Sequence, residues 1–174
     1  LKIHNKNTKL IFSNLIEWLI VNNCNYNSLE HVPKYYGIYH TNYGYGLMYE
    51  LVKDYDGKRS QTLKKYIRDN GITDELLLAV RNLNKYCLDN KIIIDALSLG
   101  NILVKINGNK ITLYICDGLG DKVESIFLFL TFNFVKRQII KYKCKKLNFL
   151  IRNCEVDKNA KLWRKKKWID KLFG

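Results

Sequence analysis

The fold of this chain is decided by the stretch Asp95-Ala-Leu-Ser-Leu-Gly-Asn-Ile-Leu-Val-Lys-Ile-Asn-Gly-Asn-Lys-Ile-Thr-Leu-Tyr-Ile-Cys-Asp-Gly118. Two apolar runs rich in β-branched residues, Ile102 to Ile106 and Ile111 to Cys116, are joined there by Asn107-Gly108. Asn-Gly between such runs is the strongest short signal for a β-hairpin, because both residues tolerate a positive φ. The stretch therefore predicts a loop followed by two antiparallel strands with a tight turn between them.

This hairpin makes a prediction about two polar side chains. Asn101 immediately precedes the first strand and Asp117 immediately follows the second. A hairpin places the start of its first strand beside the end of its second, so we expect Asn101 and Asp117 to lie close together. Amide and carboxylate oxygens are ligands that hard cations such as Mg²⁺ prefer. The sequence thus predicts a metal site formed by Asn101 and Asp117.

The composition is that of a folded domain. The chain has 174 residues, of which 47% are hydrophobic, and a single Pro. This length suits one domain or one two-lobed unit with a sizeable core, and the composition argues against disorder. The chain opens at Leu1 in a strand-like Leu-Lys-Ile without a signal-peptide pattern, and we expect it to be part of a longer, cytoplasmic protein. The longest apolar run, Ile126 to Val135, is far shorter than the ~20 residues of a membrane helix.

Charge and cysteine content limit the classes of site. The net charge is +14, and residues 135–174 hold fourteen Lys or Arg against three acidic residues. Such a segment attracts nucleic acid, anionic lipid or an acidic partner, although it is also typical of the solvated face of a helix. The five cysteines are scattered without a C-x-x-C motif, and the three histidines lack metal-ligand spacing, so we assign no zinc site.

The remaining sequence predicts an α+β fold. Apolar periodicity, capping residues and turn signals define the other elements. The predicted elements are a helix over Thr8 to Val21, strands over Ile38 to Thr41 and Gly46 to Val52, a polar connector at Lys53 to Gly57, a short helix capped by Ser60 or Thr62 and ending at Asn70-Gly71, a helix from Thr73 to Asp89-Asn90, one or two helices over Ile126 to Asn148, and a basic helix over Lys161 to Phe173.

Several motifs, in order, resemble those of a known bacterial family. The motifs are His31-Val-Pro-Lys-Tyr-Tyr-Gly37, Gly46-Leu-Met-Tyr-Glu-Leu-Val-Lys-Asp-Tyr-Asp-Gly57, Ser60-Gln-Thr-Leu63, Asn101-Ile-Leu-Val104 and Cys116-Asp-Gly-Leu-Gly120. Together they resemble the YrbL family, which is named for its link to the PhoP regulatory network and is similar in fold to protein kinases. The resemblance covers roughly residues 30 to 120.

The resemblance implies an architecture and a set of binding residues. It implies a protein-kinase-like fold with an N-terminally truncated small lobe, residues 1–57, and a mostly helical large lobe, residues 58–174. Kinases bind Mg²⁺ through a catalytic-loop Asn and a second Asp, and they pair a strand Lys with a helix Glu beside the phosphates of ATP. Carried over to this chain, these roles fall on Asn101 and Asp117 for the metal and on Lys2 and Glu17 for the nucleotide.

The position of the catalytic base departs from the kinase pattern. The kinase base precedes the Asn by five residues, and in this chain that position is Ala96. Asp95 is one residue early, and on an extended backbone its side chain would point to the opposite face unless a bulge redirects it. No Gly precedes Gly37, so the strands that would cover the phosphates with a Gly-rich loop either lie upstream of Leu1 or are absent, and we expect this chain to bind ATP weakly.

Three functions are therefore compatible with the sequence. The first is a YrbL-like regulatory protein, a pseudokinase or weak kinase with a residual Mg²⁺–nucleotide site and an unknown regulatory partner. The second is an active small-molecule or sugar kinase that uses Asp95 as its base. The third is a nucleic-acid or anionic-surface binder that acts through the basic C-terminal helices, including Lys165, Lys166 and Lys167.

Overall fold

A computed structural model of the chain describes residues 2–3, 30–42, 44–94, 96–119 and 133–156. These residues form two small sheets and three helices, a mixed α+β arrangement. The elements in chain order are β1 (Lys2–Ile3), β2 (Tyr35–Thr41), β3 (Gly44–Tyr49), β4 (Gln61–Thr62), α1 (Leu63–Asn70), α2 (Asp74–Asp89), β5 (Ile102–Asn107), β6 (Lys110–Ile115) and α3 (Asn133–Val156).

The first sheet has the strand order β1-β3-β2 and is antiparallel throughout. The predicted hairpin between β2 and β3 is confirmed, with Thr41 opposite Gly44. Its first strand begins three residues earlier than predicted, at Tyr35, and its register shifts between Tyr35 and Gly37. Gly37 has a φ of 125° at this irregularity, a conformation that a side chain would strain. The second strand ends at Tyr49 and not at Val52.

The second sheet, ordered β4-β5-β6, contains the predicted Asn-Gly hairpin. Asn107 lies opposite Lys110, so the two turn residues are Gly108 and Asn109 and not Asn107 and Gly108 as predicted. Gly108 has a φ of 59°, whereas neither Asn107 nor Asn109 has a positive φ, which fits a turn with Gly at its first central position. The two-residue strand β4 was not predicted. It pairs with the middle of β5, where Gln61 lies opposite Val104, and so extends the hairpin to three strands.

Both predicted helices that follow β4 are confirmed, together with their caps. Thr62 caps α1 by accepting a hydrogen bond from the backbone N–H of Lys65, and Gly71 follows its last residue with a φ of 77°. Thr73 caps α2 in the same way, by accepting from the N–H of Leu76. An N-cap of this kind stabilises a helix by about 1 kcal/mol.

A single apolar core joins the three helices to the hairpin. The interior sides of the hairpin strands pack against α1 and α2, and α3 covers both helices. Burial of each large aliphatic side chain contributes about 1.5–3 kcal/mol. The most deeply buried members are Leu63, Leu76, Leu83, Ile92, Ile102, Val104, Leu113, Ile115, Ile140, Leu147 and Ile151.

The helix α3 ends later than the sequence predicted. The prediction placed its end at Asn148, whereas the observed helix continues to Val156. The apolar face continues past Asn148 through buried Ile151 and half-buried Cys154, so packing against the core sustains the helix. The predicted helices over Thr8 to Val21 and Lys161 to Phe173 lie outside the described residues.

The connector Lys53 to Gly57 forms a tight turn in which Lys53 pairs with Arg59. Gly57 has a φ of 79° and its N–H donates to the carbonyl of Asp54. The division into residues 1–57 and 58–174 stays a prediction. In the described part of the chain, none of the helices combines the length and the apolar character that crossing a bilayer demands.

Candidate functional site

The hairpin places Asn101 and Asp117 at the same end of the second sheet. Ile102, which follows Asn101, lies opposite Ile115 in the β5–β6 pair. One residue further out, the carbonyl of Asn101 accepts the N–H of Cys116 at 2.9 Å and the Cys116 thiol at 3.1 Å. Asp117 is the next residue after Cys116. The backbone thus holds the predicted metal-ligand pair on adjacent chain segments.

The side chain of Asn101 closes the loop that precedes β5. Its Nδ2 donates to the carbonyl oxygen of Ala96 at 3.0 Å, and its backbone N–H donates to the carbonyl of Ser98 at the same distance. The Ser98 hydroxyl in turn accepts the N–H of Gly100 at 3.2 Å. Because the amide nitrogen is turned to Ala96, the Asn101 Oδ1 atom faces away from that hydrogen bond.

The segment that follows β6, Asp117 to Leu119, lies against the loop that precedes β5. The carbonyl of Gly118 accepts the N–H of Ala96 at 3.3 Å, and Leu119 forms an isolated bridge with Ile94. Gly118 has a φ of 84°, and its N–H donates to Oδ1 of Asp117 at 3.0 Å. The loop before β5 and the segment after β6 are therefore joined by main-chain hydrogen bonds.

The oxygen donors at this point fit a hard cation only in part. The Asp117 carboxylate is exposed and Asn101 is half-buried. Two such oxygens are fewer than the six that Mg²⁺ takes, and water or phosphate oxygens commonly complete its shell. Among the side chains that the structure describes, no group of three or more His, Cys, Asp or Glu residues converges on a metal position.

The structure does not test the positions of the other predicted site residues. Lys2 lies in β1, opposite Leu47 of β3, and its side chain is not described. Glu17 and Asp95 lie outside the described residues, as do Lys165, Lys166 and Lys167. Their roles stay predictions.

Two residues that sequence reasoning missed hold the hairpin in place, and the first is His31. Its ring Nδ1 lies 2.7 Å from the carbonyl oxygen of Leu113. Because that oxygen can only accept, Nδ1 carries the proton. The His31 carbonyl accepts the N–H of Ile115 at 2.8 Å, and the ring packs 4.8 Å from that of Tyr86, centroid to centroid. Residue 31 therefore ties the outer edge of β6 to α2.

Burial lowers the pKa of His31 below its ordinary value of 6.5. The hydrogen bond to Leu113 and the charge of Glu30 act in the opposite direction, and Lys110 adds a smaller decrease. Desolvation disfavours the charged imidazolium more than these contacts favour it. His31 is thus a neutral structural residue at pH 7.

The second missed residue is Asp54, in the connector. Its Oδ1 accepts the Ser60 hydroxyl at 2.7 Å and the backbone N–H of Ile106 at 2.9 Å. The N–H of Tyr55 donates to the carbonyl of Ile106 at 3.0 Å. The connector is therefore attached to the turn end of the hairpin. No local signal in the sequence indicated this role, because Asp54 bonds to Ile106, which lies 52 positions further along the chain.

A comparison with protein families accounts for most of the chain. The family described as PhoP regulatory network protein YrbL matches residues 4–155. The chain belongs to the YrbL family. This result confirms the family resemblance that the five ordered motifs indicated.

Two curated members of the family are similar to this chain over 94 residues. They carry the name Uncharacterized protein YrbL, one from Escherichia coli (strain K12) and one from Shigella flexneri, and each is 30% identical to the chain. The aligned region covers 52% of this chain and 45% of each YrbL protein. The match therefore spans a little under half the length of these relatives.

Proposed function

We propose that this chain is a regulatory YrbL-family protein with a protein-kinase-like nucleotide site that transfers phosphate slowly or not at all. The name of the family supports a place in a regulatory network. The kinase-like fold, the nucleotide and the Mg²⁺ ion are parts of this proposal. In it, Asn101 and Asp117 bind the metal, while Lys2 and Glu17 act beside the phosphates.

The arrangement of Asn101 and Asp117 supports the metal part of the proposal. Protein kinases hold Mg²⁺ with the Asn of the catalytic loop and with an Asp that follows a later strand. In this chain the Asn and the Asp flank the two strands of one hairpin, and the Asn101 carbonyl is hydrogen-bonded to the residue before Asp117. When bound, Mg²⁺ would neutralise the charge on the phosphates.

The hydrogen bond from Asn101 to Ala96 is the observation that supports impaired catalysis. Ala96 is the residue five positions before Asn101, where a kinase has its catalytic Asp. The 3.0 Å bond between Asn101 Nδ2 and the Ala96 carbonyl fixes these two residues relative to each other. In the proposed kinase-like arrangement, a methyl group would therefore stand where the base is required.

The loss of a base reduces phosphoryl transfer without abolishing nucleotide binding. General-base help contributes about 10²–10⁴ in rate. The rest of the reaction depends on positioning and on stabilisation of charge. A protein that retains the metal ligands but lacks the base is suited to sense a nucleotide, which is consistent with a regulatory role.

A thermal-shift titration tests this function. We expect a rise of a few degrees in Tm that requires both Mg²⁺ and ATP, as mass action predicts for a ligand of the folded state. Asp117→Ala should abolish the rise, because the carboxylate is exposed and its removal leaves the core intact. The matched control is Asp56→Ala, another exposed carboxylate, which lies in the connector. A Tm that does not respond to Mg²⁺–ATP, or an equal response in Asp117→Ala, would contradict the proposal.

A further inference from the structure

The outward side of α3 carries three aromatic side chains that the core does not use. Phe134, Tyr142 and Phe149 are 72%, 65% and 61% exposed, respectively. At 100° and 1.5 Å per residue, the three rings fall within an arc of about 80° and are separated by about 12 and 10 Å along the axis. They therefore form one line on the solvent side of the helix.

Basic side chains are interleaved with this line of rings. The exposed cations of the helix are Arg137, Lys141, Lys145, Lys146 and Arg152. Among the side chains that the structure describes, none of these five forms an ion pair. We refer to these five cations and the three exposed rings together as the α3 outer face.

The opposite side of α3 is already occupied by the core. Ile140, Leu147 and Ile151 are buried in the contact with α1 and α2. A helix that inserts into a lipid surface presents a continuous apolar face to it. On α3 that apolar face is buried, and the exposed rings alternate with charges, which disfavours a membrane as the partner.

The charge of residues 157–174 argues against this segment of the same chain as the partner of the α3 outer face. Residues 157–174, which follow the helix, contain seven Lys or Arg against two Asp. This segment would add positive charge to the α3 outer face and not neutralise it. The complementary partner is a polyanion.

We propose that the α3 outer face binds single-stranded nucleic acid. Proteins that bind single strands without sequence preference combine cations along the backbone with aromatic rings on which bases stack. The five cations would contact phosphates and the three rings would each stack on a base. This activity is independent of the nucleotide site at the hairpin and does not require Mg²⁺ or ATP.

Fluorescence anisotropy with a labelled oligo(dT) of about 12 nucleotides, within the range that single-strand binding sites cover, tests the proposal. Between 50 and 300 mM NaCl we expect the logarithm of the affinity to fall with the logarithm of salt with a slope of about −3.5, because five phosphate contacts contribute about 0.7 each. The double substitution Lys141→Gln and Lys145→Gln should reduce this slope by about 1.4. Lys110→Gln, an exposed cation at the hairpin turn, is the matched control and should leave the slope unchanged.

Substitutions of the exposed rings test how much stacking contributes to binding of oligo(dT). Tyr142→Ala and Phe149→Ala should each weaken binding about tenfold without changing the salt slope, since stacking does not release counterions. Tyr142→Phe keeps the ring and should bind as the native protein does. Tyr55→Ala removes a ring of the connector that is 74% exposed, and it is the control.

Other outcomes would overturn the proposal. Equal affinity of the native protein and of all α3 variants would show that binding resides elsewhere in the chain. Tighter binding to phosphatidylserine vesicles than to oligo(dT) would assign the face to a membrane. Equal binding of poly-glutamate, with no effect of Phe149→Ala, would reduce the interaction to charge alone.

Discussion

Gly118 lies so close to Ala96 that a Cβ atom on Gly118 would be 2.7 Å from the Ala96 Cβ and 2.9 Å from the Ala96 carbonyl oxygen. The two residues are also joined by the hydrogen bond from the Ala96 N–H to the Gly118 carbonyl. Glycine at position 118 is therefore required by its φ of 84° and by the approach of a neighbouring backbone. This contact sets the spacing between the loop before β5 and the Asp117 segment.

We expect Gly118→Ala to lower the free energy of unfolding by about 2–4 kcal/mol. The left-handed backbone conformation costs a non-glycine residue about 1–2 kcal/mol, and the clash with Ala96 adds a cost of the same order. Urea denaturation measures the change. Gly57→Ala is the control, because Gly57 has a φ of 79° but nothing within 4 Å of an added Cβ, and it should cost only the backbone part of about 1–2 kcal/mol. Equal losses in the two variants would show that the Ala96 contact contributes nothing.

Asp54 provides the second prediction. Asp54→Ala removes the acceptor of the Ile106 N–H and of the buried Ser60 hydroxyl, and we expect a loss of about 2 kcal/mol in the free energy of unfolding. Amide hydrogen exchange measures the loss of this hydrogen bond directly, since the Ile106 N–H should exchange faster in Asp54→Ala than in the native protein. Asp56→Ala is the matched control, because Asp56 is exposed and bonds to Lys58 within the same turn. Unchanged exchange at Ile106 would contradict the role assigned to Asp54.

His31 predicts a dependence of stability on pH. Its pKa is lowered by burial in the folded state, so the unfolded chain binds more protons just below pH 6.5. The stability that neutral His31 contributes is therefore complete above the unfolded pKa and is lost as the pH falls below it, by at most about 1.4 kcal/mol for each pH unit. Thermal denaturation between pH 7.5 and 5 should show this loss.

The substitution His31→Asn isolates this effect. Asn retains an N–H donor near the position of Nδ1 but does not titrate in this range, so the decline between pH 6.5 and 5 should become shallower. His40→Asn, on the exposed edge strand β2, is the control and should keep the native profile. A profile for His31→Asn that parallels the native one would refute the assignment.

Local sequence patterns predicted the elements that local interactions determine. The Asn107-Gly108 signal specified the hairpin, although the turn itself consists of Gly108 and Asn109, and Thr62 and Thr73 specified the starts of two helices. The pairing of β4 with β5, the bond of Asp54 to Ile106 and that of His31 to Leu113 join residues between 41 and 82 positions apart, and no local pattern encodes them. The candidate metal site also divides into a part that local sequence predicts and a part that it does not. The hairpin predicted that Asn101 and Asp117 share one end of the sheet, whereas the bond from Asn101 to Ala96 required the fold.

Restoring a carboxylate at position 96 tests the proposed impairment of catalysis. Ala96 is exposed and its carbonyl accepts the Asn101 amide, so Ala96→Asp would place a base in the kinase position without disturbing the core. We expect the release of ADP from Mg²⁺–ATP to rise by about 10²-fold or more, the contribution of a general base. Ala96→Asn has nearly the same shape without a base and should release ADP at the native rate. If both variants bind Mg²⁺–ATP but release ADP equally, position 96 is not that of the missing base.

Asp95→Ala tests the alternative function, an active small-molecule kinase that uses Asp95 as its base. Such a kinase would lose its basal activity in this variant, whereas a protein that lacks a base would not.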